Sequence, residues 1–212
     1  MSNSLSIHPR VLLLSGWARR LALLMAGLIL FGIGVALMAR SGMGLGPWEA
    51  FHQGLALHTG LEMGAVSIFV GMAVLLAWIP LRQWPGIGTV LNILTIGTAT
   101  DMTLVLLPTP EHYAVRLLWM VVGLLLTGLG CGMYLSAKLG AGPRDGVMMG
   151  LHKRTGLSIR TIRTLIEVAV LVAGWLMGGQ IGLGTVAFAF GIGPIVQPVM
   201  RWFGGLPSER GE

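Results

Sequence analysis

The chain has 212 residues, of which 54% are hydrophobic and only 10% are charged, and its mean hydropathy is +0.81. Because soluble domains carry about 25% charged residues, this composition excludes a water-soluble protein and predicts an integral membrane protein. The formal net charge of +6 does not indicate nucleic-acid binding, since the basic residues follow the membrane pattern described below.

The apolar segments predict an all-α membrane protein with six transmembrane helices. Each of the six runs is long enough to cross about 30 Å of hydrocarbon as a helix. In chain order the runs are 18–39, 62–81, 86–107, 114–137, 158–178 and 182–202. Two further segments, 46–60 and 142–156, are too short and too polar to span. Residues 1–16 and 203–212 are predicted to be short cytoplasmic tails.

The sequence also contains an internal duplication. A shift of 96 positions places residues 17–101 over 113–197 without a gap, and 26 of the 85 aligned positions are identical. Each copy holds three spans, an odd number, so the second copy must enter the membrane from the opposite side. The sequence therefore predicts two inverted repeats, 17–107 and 113–202, related by an axis in the membrane plane.

The distribution of Lys and Arg predicts the orientation. If the N-terminus is cytoplasmic, twelve of the fourteen basic residues lie on the cytoplasmic side, and only Arg40 and Arg116 lie outside. Such an excess is typical of cytoplasmic loops in membrane proteins. Both termini are therefore expected in the cytoplasm.

Each short segment opens with a Gly-x-Gly-Pro motif. Proline is tolerated at the first helical position because that N–H has no partner inside the helix. Small residues then recur every fourth position and form a ridge that lets another helix approach closely. The motif and ridge residues are Gly44, Gly46, Pro47, Ala50 and Gly54 in the first copy and Gly140, Gly142, Pro143, Gly146 and Gly150 in the second. The short helices are expected to be either re-entrant and buried in protein or amphipathic and interfacial.

Glu49 and Asp145 occupy equivalent positions, two residues after each motif proline. One interpretation places these acids at the two mouths of a pathway, where they bind cations or relay protons. The alternative is that each acid satisfies free N–H groups and the positive end of its own helix. The sequence leaves both interpretations open.

Further polar residues lie inside the predicted spans, where charges are costly and often functional. Arg163 and Glu167 are four residues apart and are expected to pair, either as a structural ion pair or as part of a pathway. Asp101 closes the third span and is either a pathway residue or a wetted interfacial one. The predicted substrate pathway comprises Glu49, Asn92, Asp101, Arg144, Asp145, Arg163 and Glu167.

Catalytic and cofactor motifs do not appear in the sequence. There is no Ser-His-Asp set, Walker loop or zinc-binding spacing, so we expect no enzyme activity, no cofactor and no metal site. His52, His58 and His152 lie on the short segments without metal-ligand spacing and are expected to be solvated.

Four strings resemble the YczE-type family of bacterial membrane proteins, within the wider YczE/YyaS/YitT grouping. They are Gly-Leu-Gly-Pro-Trp-Glu, Pro-Gly-Ile-Gly-Thr-Val-Leu-Asn, Gly-Ala-Gly-Pro-Arg-Asp-Gly and Thr-Ile-Arg-Thr-Leu-Ile-Glu. The resemblance covers about residues 17–202 and implies a multi-pass protein of the bacterial inner membrane. Relatives often have Asp where this chain has Glu49, so the acidic character of the position is kept.

Two functions fit these features. The first is a small-molecule transporter or facilitator with a pathway between the inverted repeats. The alternative is an accessory or scaffold protein that assists an exporter or a membrane-bound biosynthetic complex, with the glycine ridges as contact faces. The lipid bilayer is the expected partner in both cases, with a small-molecule substrate for the transporter and a homo-oligomer or partner membrane protein as further possibilities. A water-lined pathway would favour transport, and a dry, packed axis would favour the scaffold.

Overall fold

The computed structural model describes residues 9–204, with side chains from residue 16 onward, and all regular secondary structure in this part of the chain is α-helical. Eight helices lie in the described range: α1 Pro9–Ser41, α2 Pro47–Thr59, α3 Met63–Leu81, α4 Ile87–Leu106, α5 Tyr113–Ala137, α6 Pro143–Thr155, α7 Ile159–Leu176 and α8 Leu183–Trp202. The predicted all-α class is confirmed. Helix α1 begins at Pro9 and thus extends into the segment predicted as a tail, while residues 1–8 and 205–212 lie outside the described range.

Five of these helices are long and apolar enough to cross a membrane, namely α1 from Gly16, α3, α4, α5 and α8. The predicted fifth span forms helix α7, which has 18 residues and carries Arg160, Arg163 and Glu167. Because it carries three charges in only 18 residues, α7 is not among the apolar spans.

Helices α1 and α5, equivalent in the two copies, cross in antiparallel directions at the centre of the fold. Gly27 faces Gly130, and Gly34 faces Gly123 about two turns further along. A Cβ atom added to Gly27 would lie 2.8 Å from the Gly130 carbonyl oxygen, and one added to Gly123 would lie 2.7 Å from the Gly34 oxygen. The glycines therefore allow backbone contact along the axis between the two copies.

The last helix of each copy holds the turn before the short helix of the other copy. The start of α8 contacts the turn before α2, and the start of α4 contacts the turn before α6. Gly184 N donates to Met43 O at 2.8 Å, and Gly88 N donates to Leu139 O at 2.9 Å. The two bonds involve equivalent residues, because a shift of 96 positions takes 43 to 139 and 88 to 184. Each Gly-x-Gly-Pro turn is thus fixed by the other copy.

The short helices α2 and α6 each pack across the boundary between the copies. Helix α2 contacts α3 of its own copy and α7 of the other, while α6 contacts α7 and also α3 of the first copy. The small-residue ridges form these contacts: Gly54 lies against Gly174 and Met177, and Gly146 lies against the ring of Trp78. The first turns of both helices begin at Pro47 and Pro143, which are buried.

Candidate functional site

The N-terminal turns of α2 and α6 meet at an ion pair between the two copies. Arg144 Nη2 donates to Glu49 Oε1 at 2.7 Å, although the residues are 95 positions apart in sequence. The Glu49 side chain is only 4% exposed, whereas that of Arg144 is 31% exposed. The Arg144 guanidinium also lies over the Trp48 ring, 5.0 Å from its centroid. Two short helices that cannot span a membrane therefore bring together a buried carboxylate and a partly exposed guanidinium from the two copies.

This pair stands between two cavities. A small cavity of about 60 Å³ lies on the Glu49 side, and its polar lining includes His52, Ser67 and Thr100. A larger cavity of about 330 Å³ lies on the other side, between α5, α6, α7 and α8. Both cavities are lined by Trp48, Asn92, Ile96, Pro143 and Arg144. The residues around the ion pair therefore form the wall that separates the two spaces.

The larger cavity brings together the four predicted pathway residues of the second copy. Arg163 Nε donates to Glu167 Oε1 at 2.8 Å, so the expected ion pair is present. The hydroxyl of Tyr134 lies 3.5 Å from Asp145 Oδ2. Arg144, Asp145, Arg163 and Glu167 all line this space, together with Gln197 on α8.

The acids at the two helix starts have opposite electrostatic environments. Burial would raise the pKa of Glu49, but the Arg144 guanidinium beside it holds this pKa below its ordinary value. Burial raises the pKa of Asp145, and the attraction of Arg144 and Arg163 offsets this only in part. Burial also lowers the pKa of His52 to about 3, so its ring is neutral. The acid of α2 is thus stabilised as a carboxylate by a cation, and the acid of α6 lacks such a partner.

The two copies differ in how their last two helices pack. Helices α3 and α4 are in contact, and a Cβ atom on Gly97 would lie 2.7 Å from Ile68 Cγ1. The equivalent Gly193 on α8 faces open space, and α7 packs on α2 and α6 rather than along α8. The duplication places Glu167 where the first copy has Gly71, which packs on Ile93. The gap between α7 and α8 consequently forms part of the larger cavity.

Two of the predicted pathway residues have other surroundings. Asp101 accepts hydrogen bonds from Gly64 N at 2.6 Å and Ala65 N at 2.8 Å, so it caps the first turn of α3 and does not line either cavity. Asn92 lines both cavities beside the ion pair. No group of three His, Cys, Asp or Glu side chains that could hold a metal ion occurs within the described residues.

Sequence comparison matches residues 18–201 to a family of unknown function, DUF6198. The uncharacterized membrane protein YczE of Bacillus subtilis is 40% identical over 175 residues, which cover 81% of each chain. The chain belongs to this YczE-type family. An uncharacterized protein of Haemophilus influenzae is 40% identical over 189 residues, 89% of this chain and 87% of the relative. The uncharacterized protein YyaS of Bacillus subtilis is 26% identical over 164 residues, 76% of this chain and 82% of the relative. No solved structure matches.

Three residues of this YczE-type protein contribute to the site without having been predicted. His52, expected to be solvated, is buried beside Glu49 because it lies one turn further along the same face of α2. Trp48 covers Arg144, and Tyr134 approaches Asp145. The spacing of His52 from Glu49 could have indicated its position, whereas the roles of Trp48 and Tyr134 depend on contacts between distant helices.

The exposed position of the Arg163–Glu167 pair predicts a small contribution to stability. The two side chains are 55% and 33% exposed, and exposed ion pairs contribute about 0.2–1 kcal/mol. We expect Arg163→Ala, Glu167→Gln and the double variant each to lower the free energy of unfolding in detergent by about 1 kcal/mol or less. A loss of several kcal/mol in either single variant, recovered in the double variant, would instead identify a buried structural pair.

Proposed function

We propose that this YczE-type protein is a small-molecule transporter or facilitator whose pathway runs between two inverted repeats. The observation that carries the proposal is the Glu49–Arg144 pair, which joins the short helices of the two copies and has a cavity on each side. Charged residues inside a membrane protein are costly and usually mark a route for polar solutes. In this proposal the ion pair is the closed gate of that route.

The antiparallel crossing of α1 and α5 supports the inverted relation of the repeats. Contacts between the copies also occur in equivalent pairs, with α2 on α7 matched by α6 on α3. We include α7 as a sixth span, since its 18 residues reach about 27 Å at the helical rise. Its charges Arg163 and Glu167 line the larger cavity, where water can solvate them, so they do not oppose insertion as lipid-facing charges would.

The unequal packing of the two copies supports alternating access. The first copy is closed where α3 contacts α4, and the second has a gap between α7 and α8. With the N-terminus in the cytoplasm, the basic segment 138–163 and this gap lie on the cytoplasmic side. In this proposal the larger cavity faces the cytoplasm. If α7 packed against α8 and a gap opened between α3 and α4, the pathway would open to the outside instead.

The proposal is tested by a solute-flux screen on the purified protein in liposomes. We expect at least one class of small solute to enter protein-containing vesicles faster than empty ones. Glu49→Gln should change the rate, because it breaks the gate, while Glu111→Gln, which removes the same charge from an exposed loop, should leave it unchanged. Absence of flux for every solute class, with the protein folded, would contradict transport and favour the accessory role.

A further inference from the structure

The polar end of the larger cavity carries two arginines, Arg144 and Arg163, and two acids, Asp145 and Glu167. Both of its arginines are already paired, Arg144 with Glu49 at 2.7 Å and Arg163 with Glu167 at 2.8 Å. Asp145 is different, because among the described side chains no Lys, Arg or His nitrogen lies within 4.0 Å of its carboxylate. Its polar side-chain neighbour is the Tyr134 hydroxyl at 3.5 Å. One carboxylate in the cavity therefore has no cation partner.

The internal duplication explains why Asp145 lacks a partner. The shift of 96 positions takes Glu49 to Asp145 and takes Trp48 to Arg144. The position that would supply Asp145 with an arginine, by analogy with the Glu49–Arg144 pair, is thus occupied by Trp48. The ring of Trp48 instead lies against Arg144 and forms part of the cavity wall.

The remaining walls of the larger cavity are apolar and aromatic. Phe31, Phe188, Ile192 and Val196 line it beside the polar end. Its volume of about 330 Å³ lies at the lower end of the range for small-molecule sites and greatly exceeds that needed by a single inorganic ion. Aromatic rings attract cations as well as apolar groups.

Resting on the proposed function, we infer that the larger cavity binds a small organic cation with an apolar body, whose positive charge faces Asp145. The cation neutralises the Asp145 carboxylate, which Trp48 cannot do because its side chain is uncharged. The apolar part of the cation contacts the wall formed by Phe31 and Phe188. An organic anion fits less well, since both guanidinium groups are already neutralised and Asp145 would repel it. Burial raises the pKa of Asp145, which agrees with a carboxyl group that lacks a fixed cation.

Three probes with the same ring and different charge test this inference by calorimetry on the full-length protein in detergent. They are benzyltrimethylammonium, benzyl alcohol and benzoate. We expect the cation to bind most tightly and benzoate most weakly. Asp145→Asn should weaken binding of the cation by about tenfold, the equivalent of one charged contact, and leave benzyl alcohol binding unchanged. Glu111→Gln, an exposed loop variant, should change neither.

A second variant keeps the test decisive if Asp145→Asn does not fold. Arg163→Gln removes a positive charge close to Asp145, so it should tighten binding of the cation and weaken that of benzoate. Failure of all three probes to bind, tighter binding of benzoate, an Asp145→Asn variant with unchanged cation affinity, or weaker cation binding by Arg163→Gln would each overturn the inference. Cation binding without flux in liposomes would contradict transport alone, whereas flux of benzoate without the cation would contradict the cation site alone.

Discussion

Replacing Arg144 by glutamine is expected to destabilise the protein far more than replacing its partner. The Arg144→Gln variant leaves the Glu49 carboxylate buried without a cation, and breaking a buried ion pair in this way costs about 3–5 kcal/mol. The second carboxylate oxygen of Glu49 already lacks a hydrogen-bond partner, and the His52 ring beside it is neutral. Glu49→Gln should cost less, because the Arg144 side chain is 31% exposed and can turn toward water in the larger cavity.

The double variant Glu49→Gln, Arg144→Gln should recover most of the stability lost in Arg144→Gln, since it removes the uncompensated charge. Unfolding in detergent measures all three changes. Lys153→Gln, an exposed residue on the same helix, controls for the loss of one positive charge. Equal losses of unfolding free energy in the two single variants would contradict the expectation that Arg144→Gln is the more damaging change. Additive losses in the double variant would contradict it as well.

A leucine at position 146 is the second large expected change. A Cβ atom on Gly146 would overlap the ring of Trp78. That ring cannot easily move away, because it is 3% exposed and its Nε1 donates to Pro143 O at 2.9 Å. Gly146→Leu must therefore push α6 away from α3, at a cost of about 1–3 kcal/mol.

Val147→Leu is the matched control for this variant. Val147 follows Gly146 on the same helix and is half-buried, so a leucine there adds a methylene without forcing α6 from α3. Thermal unfolding in detergent should show a clear loss for Gly146→Leu and little change for Val147→Leu. Comparable midpoints for the two variants would show that the contact between α6 and Trp78 does not hold the repeats together.

Much of the fold was predictable because the apolar runs and the Gly and Pro residues at helix ends determine local structure. The motif prolines begin α2 and α6 at the expected positions, and the glycines Gly60 and Gly156 end them with φ near 70°. The pairing of Glu49 with Arg144 was not predictable in the same way. The duplication relates Glu49 to Asp145. Glu49 pairs instead with Arg144, the residue before Asp145, and this pairing depends on how two distant helices cross.

One residue, Asp101, and one helix, α7, show where the sequence was insufficient. Asp101 was predicted as either a pathway residue or a wetted interfacial one, and its carboxylate caps α3, because the close contact of Gly64 with Gly97 brings the start of α3 within reach. Helix α7 was predicted as a span, but it is not among the five apolar spans because it carries three charged residues. The surroundings of Asp101 depend on packing between helices, which a single sequence does not report.

Accessibility of a cysteine at position 197 tests most directly whether a water-filled pathway lies between inverted repeats. Gln197 lines the larger cavity, as does Cys131, which is replaced by serine in the test protein. Cysteines at positions 58 and 154, both exposed, mark the two membrane sides. With a membrane-impermeant thiol reagent, we expect position 58 to react from outside and positions 154 and 197 to react from the cytoplasm. Labelling of 58 and 154 from one side, or no reaction at 197 from either side, would contradict the account.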